Sequence, residues 1–263
     1  MHSAFTKTLY DKRWFAIGWS AAFGFMSLLV VVFYPSFSST FQFDQLASQL
    51  PPAFQGLIGD AANLKTLSGY IAEQLFNIRI PLFMIIMSIV LGLGLSISDE
   101  ESGRTRTLLM APTSRTVLLL HKIAAAIVIV GAISLATVLF LYLGIFIIRE
   151  SAPHALIWEL FGLSWIFGAT AVTVVISIGH AIGERAPTTG IALVITIGSF
   201  ILTTFGAAVS WLKPYERVSL LHYYDATGLS KHTFHPSHLW VLLNVAVLAV
   251  IIAVVRFRVR DLH

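Results

Sequence analysis

Six apolar runs dominate the chain, and polar stretches separate them. A helix needs about 20 predominantly apolar residues to cross a bilayer. The pattern predicts spans over 14–34, 80–97, 117–148, 157–183, 188–211 and 239–255. Trp14 and Tyr34 bracket the first, where interfacial aromatics sit. Pro81 opens the second in the first helical turn, where its missing amide hydrogen costs nothing. Between the first two spans, Leu57, Ile58, Leu64, Leu67, Tyr70, Ile71, Leu75 and Phe76 recur at mostly helical spacing. That stretch predicts an amphipathic helical segment outside the membrane, packed on the spans. Residues 1–13 alternate Phe5, Leu9 and Tyr10 with Lys7, Lys12 and Arg13, a pattern for a helix lying in the interface. Gly18, Ala22 and Gly24 in the first span, and the Gly, Ala, Ser and Thr of the fifth, offer faces for close helix packing.

Composition agrees with this pattern. Charged residues make up 11% of the 263, against about 25% in soluble domains, and mean hydropathy is +0.83. The expected fold is an all-α integral membrane protein, with 1–263 forming a single six-span domain. The net charge of +4 reads as cationic membrane-facing loops, not as a nucleic-acid footprint. Eleven of the seventeen cations fall on the side that holds both termini and the loops after the second and fourth spans. The expected placement is therefore a cell (inner or plasma) membrane with both termini cytoplasmic. With no cysteine, disulfides, thiolate metal sites and cysteine nucleophiles are excluded.

Ser98–Lys122, S-D-E-E-S-G-R-T-R-T-L-L-M-A-P-T-S-R-T-V-L-L-L-H-K, concentrates charge between the second and third spans. Three acids lead and the cations follow, so a short helix starting near Asp99 would match the macrodipole. Leu108, Leu109 and Met110 add an apolar patch, Pro112 ends the helix, and Thr113 or Ser114 can cap the next one. Region 98–116 therefore reads as an amphipathic element that receives a soluble partner.

Signals for bond chemistry are absent. The chain has no GxxxxGK[ST] phosphate loop and no HExxH. The span interiors carry hydroxyls, His180 and Asn244, but no ionised group at mid-span. A proton- or sodium-coupled carrier needs such groups, or broken helices, near the midplane. Uphill transport would thus draw its energy from another subunit. His232, His235 and His238 invite a metal reading by their three-residue spacing. Pro236 interrupts any helix through them and no carboxylate intervenes, so an interfacial loop is the simpler reading.

The run D-E-E-S-G, then T-L-L-M-A-P-T-S-R, then L-L-L-H-K-I-A-A-A resembles the signature of type-2 ATP-binding-cassette permeases. Glu100, Glu101, Gly103, Leu108, Leu109, Pro112, Ser114, Arg115 and Lys122 carry the match; Arg104 and Arg106 depart from it. The resemblance implies a coupling helix, with Glu100, Glu101, Gly103, Arg104, Arg106, Leu108, Leu109, Pro112 and Arg115 as its ATPase-coupling residues. It also implies two cytoplasmic ABC ATPase subunits that hold ATP and Mg, and a second permease copy, with a homodimer through spans one and five as the expected pairing. This chain itself would hold no cofactor and would not be an enzyme. Its expected role is export, or extraction from the membrane, of a hydrophobic or amphipathic compound. A membrane scaffold or immunity protein, a metal-ion-related exporter and an intramembrane enzyme are the alternatives.

Overall fold

A computed structural model describes residues 4–40, 63–103, 114–206 and 213–259. Every regular element among them is helical. Helix α1 (Ala4–Asp11) leads through Lys12 into α2 (Arg13–Val32), followed by α3 (Tyr34–Thr40). After a 3-10 turn at Asn63–Lys65 come α4 (Leu67–Tyr70), a π-helix (Ile71–Arg79), α5 (Ile80–Leu95) and α6 (Ile97–Glu101). Helices α7 (Arg115–Ile148), α8 (His154–Ile182) and α9 (Arg185–Gly206) follow. Two 3-10 segments (Lys213–Val218, Leu221–Tyr223), α10 (Ala226–Ser230) and α11 (Ser237–Val259) complete the order.

Six helical segments are long and apolar enough to cross a membrane, as the hydrophobic pattern predicts. Their outward faces carry large exposed side chains such as Phe25, Val194 and Leu248, which suits lipid and not water. The centre of the bundle is α7, packed against α2 on one side and α8 on the other; α8 in turn holds α5 and α11. With 34 residues, α7 extends about 51 Å, well beyond the bilayer's apolar core. Glycines set the close approaches. A Cβ on Gly24 would lie 2.7 Å from the Phe140 ring, and one on Gly168 would lie 2.6 Å from Met84 Sδ. Hydrogen bonds stitch the helices together: Trp165 Nε1 donates to the Ile127 carbonyl (3.0 Å) and Thr170 Oγ1 to the Leu242 carbonyl (3.3 Å).

Several boundaries differ from the sequence expectation. The amphipathic segment before the second span is not a separate element. It runs through the π-helix straight into α5, and Leu64, Leu75 and Phe76 are buried in the common core. Its residues 54–62 lie outside the described residues. Helix α8 starts at His154, immediately after Pro153, and α9 starts at Arg185, ahead of the expected Thr188. Pro187 sits inside the first turn of α9, where no amide hydrogen is required. The stretch 213–238 falls between the expected fifth and sixth spans. Its Leu221, Tyr224 and Ala226 enter the core, and the Tyr224 hydroxyl shares a hydrogen bond with Ser164 Oγ at 3.0 Å.

Candidate functional site: the charged end of the bundle

Helix α5 breaks at Ser96, whose hydroxyl donates back to the Gly92 carbonyl (2.7 Å), and the chain resumes as α6. This α6 ends at Glu101, and Gly103 turns the backbone with φ +73°, a conformation glycine adopts without strain. The sequence places Asp99, Glu100 and Glu101 at the start of an independent helix. The structure instead places them at the C-terminal extension of span two, next to carbonyls that a cation would satisfy.

Lys122 and Arg185 supply those cations. From the second turn of α7, Lys122 reaches back into the bundle with no exposed surface. Its Nζ donates to the Leu95 carbonyl at 2.7 Å and pairs with Asp99 Oδ2 at 3.0 Å. The ammonium thus replaces its water shell with a carboxylate and a helix-end carbonyl, which a buried charge requires. Gly94 lies directly beneath Lys12, whose Nζ would be 3.0 Å from a Cβ there. Helix α1 packs along α7 and brings Lys12 to this end. Gly92, on the other side, lets Val175 of α8 approach α5.

Arg185 opens α9 after a two-residue turn. Gly183 ends α8 in the left-handed region (φ +83°), its amide bonded to the Gly179 carbonyl at 2.8 Å. Arg185 Nε donates to Glu101 Oε1 at 3.2 Å and Nη2 to Oε2 at 2.6 Å, a fork on a carboxylate. The same Nη2 donates to Ser98 Oγ at 2.9 Å.

Arg115 closes the end on the far side. Its Nη1 donates to the Phe257 carbonyl at 3.1 Å, and its guanidinium stands 5.8 Å from the centre of the Phe257 ring. His180 packs edge-on against the same ring, its Nδ1 bonded to the Ile176 carbonyl at 2.9 Å. Ser114 caps α7, accepting from the Val117 amide at 3.3 Å.

Of the proposed coupling residues, Glu100, Glu101, Gly103 and Arg115 are therefore gathered at one end. Arg104, Arg106, Leu108, Leu109 and Pro112 lie outside the described residues. Sequence reasoning missed Asp99 and Arg185 as partners. Arg185 carried a legible signal: it stands directly after the two-residue turn Gly183–Glu184 and two residues ahead of Pro187, where a helix start is expected.

The histidines at the other end do not assemble as their spacing suggests. His238 packs among His222, Tyr223, Phe234 and His235. His232 adopts φ +56° just beyond α10. Among the described residues no three His, Cys, Asp or Glu side chains form a group able to hold a metal ion.

A narrow apolar cavity of about 20 Å³ lies between α5, α8 and α9. Ile85, Phe167, Ala171, Val175, Ala192 and Thr196 contribute to its lining. The Thr196 hydroxyl is satisfied by its own helix, donating to the Ala192 carbonyl at 2.7 Å.

Six helices long and apolar enough to cross a membrane define an all-α, multi-pass membrane protein. Over residues 3–258 the chain matches the family described as Multidrug efflux system permease Rv1217c, C-terminal domain, and it belongs to that family. No curated protein sequence matches it significantly.

Proposed function

We propose that this chain is the membrane permease subunit of an ATP-driven exporter of the ABC type, moving a hydrophobic or amphipathic compound with energy from two separate ATPase subunits. The membership in an efflux permease family carries the reading. Its physical support is the distribution of charge. Helices α2, α7 and α9 carry no ionised residue between Arg13, Lys122 or Arg185 and their far ends on which a proton or sodium gradient could act, and the buried Glu73 of the second span accepts a hydrogen bond from Asn77 near the end away from Lys122. The charged end, with 104–113 attached to it, is where an ATPase would push. In this reading that end faces the cytoplasm, two copies of the chain pair, and ATP with Mg resides in the partners. No residue of this chain performs bond chemistry.

Co-expression with candidate ABC ATPases tests the proposal. A stable complex should purify in mild detergent, and in proteoliposomes it should move ethidium, a cationic amphiphile, only when ATP is hydrolysed. A chain that binds no ATPase and moves nothing would be a scaffold. Ethidium movement by the chain alone, without nucleotide, would exclude ATP drive.

A further inference from the structure

Helix α9 is held differently from its neighbours. Only 22% of its span is buried, against 67% for α8. Along its middle it leaves the apolar cavity between itself, α5 and α8. At the end opposite the charges it is pinned by a hydroxyl cluster. Ser219 Oγ donates to the Ser199 carbonyl (2.9 Å), Thr203 Oγ1 lies 2.7 Å from Ser219 Oγ, and the Leu220 amide donates to Ser199 Oγ (3.2 Å). At the charged end, it is fastened by Arg185 on Glu101 and Ser98.

That fastening is not a matter of stability. The pair is about half exposed on both sides, and exposed ion pairs contribute little. Nor does either helix want its own charge. Arg185 stands at the first residue of α9, where the macrodipole disfavours a cation, and Glu101 stands at the last residue of α6, where it disfavours an anion. Each charge is misplaced on its own helix and well placed for the other. What the fork supplies is a fixed geometry between two turns that lie 84 residues apart in sequence.

We propose that Arg185 is a positioning residue of the transport cycle: through Glu101 and Ser98 it makes α9 follow the 98–103 segment, so that work delivered there changes the width of the α5–α8–α9 cavity. The inference rests on the ATP-driven reading above and assigns Glu101 to an intrachain partner. Movement of α6 then reaches span five through the clasp as well as spans two and three through the backbone and the Lys122 pair. Because α9 is anchored at its far end by hydroxyl bonds, displacement at Arg185 tilts it about that anchor.

The test uses the complete permease–ATPase complex and compares E101R, R185E and the exchanged pair E101R/R185E. Each single reversal should lower ethidium moved per ATP hydrolysed about fivefold or more, the scale of an ordinary coupling energy. The exchanged pair should return to within about twofold of the parent. Because the chain lacks cysteine, E101C/R185C can be joined cleanly by a short bis-maleimide. Before linking it should be uncoupled, and after linking coupled, since the two turns travel as one body. Parental coupling in R185E, no rescue by exchange, or inactivation by the cross-link would each overturn the proposal. If E101R alone releases the ATPase while R185E is silent, Glu101 serves the partner and not Arg185. If transport proves independent of ATP, the ATP-driven reading fails, and the same exchange and cross-link series still decides the clasp from transport rate alone.

Discussion

Lys122 Nζ stands 3.0 Å from Asp99 Oδ2, with side-chain exposures of 0% and 10%. Removing one partner of such a pair leaves an uncompensated charge and costs about 3–5 kcal/mol, whereas replacing both with apolar groups is far milder. Lys122→Met and Asp99→Asn should each lower the detergent unfolding temperature and the yield of monodisperse protein. The Asp99→Leu/Lys122→Met double variant should recover most of the loss. Damage in Lys122→Met and in the double variant, with none in Asp99→Asn, would mean that the Leu95 carbonyl, not Asp99, is the partner that matters.

Arg115 fastens the start of α7 to the end of α11 through the Phe257 carbonyl and ring. A hydrogen bond from a charged donor contributes about 1.5–3 kcal/mol. Arg115→Ala should release the last turn of α11 locally, without unfolding the bundle. Amide hydrogen exchange over 253–257 should accelerate by about tenfold or more, with α5 and α8 unchanged. Arg115→Lys should restore part of the protection, because Lys donates to the carbonyl but has no guanidinium plane to stack on the Phe257 ring.

Burial pushes the Tyr224 phenol well above its ordinary value of 10.0, and Ser164 provides its one side-chain contact of opposite effect. An acid whose folded-state pKa is raised contributes stability that is intact below the unfolded pKa and is lost as pH climbs toward the folded one. Stability should therefore begin to fall above about pH 10 as the unfolded state sheds this proton first. In Tyr224→Phe that alkaline component should vanish, at a cost of about 1 kcal/mol at neutral pH for the lost hydrogen bond. Thermal melts between pH 7 and 11 check both.

The six spans were legible because each is a long apolar run, and nothing else in a chain of this composition can be made of such runs. The charged end was legible as a place and not as a set of pairs. Local spacing shows that Asp99, Glu100 and Glu101 lead a polar stretch. It does not show that a kink at Ser96 carries them back to Lys122 and across to Arg185, because those contacts are long-range. The π-helix at 71–79 escaped for a similar reason. Its apolar spacing fits a 3.6-residue repeat nearly as well, and only packing against α2 and α10 selects the wider turn. In 213–238 the few apolar residues looked too sparse for core, yet Leu221, Tyr224 and Ala226 are placed one by one into gaps between spans.

Glycines separate packing inside one subunit from packing between two. Gly24 and Gly168 are closed in by Phe140 and Met84, so Gly24→Ala and Gly168→Ala should destabilise the single chain by about 1–3 kcal/mol through overpacking. Gly18 on α2, and Gly190 and Gly198 on α9, have no atom within 4 Å of an added Cβ. Gly18→Leu, Gly190→Leu and Gly198→Leu should therefore leave the unfolding temperature of the isolated subunit within a degree or two of the parent, the scale of a surface change below about 0.5 kcal/mol. If two copies pair through spans one and five, these same open glycines are where the backbones approach, and leucine there would hold them apart. The three variants should then shift the detergent-solubilised protein from dimer to monomer on light scattering while its melting profile as a monomer is unchanged. A dimer that persists in all three would place the subunit contact on another face, with α11, exposed along nearly its whole length, as the next surface to alter.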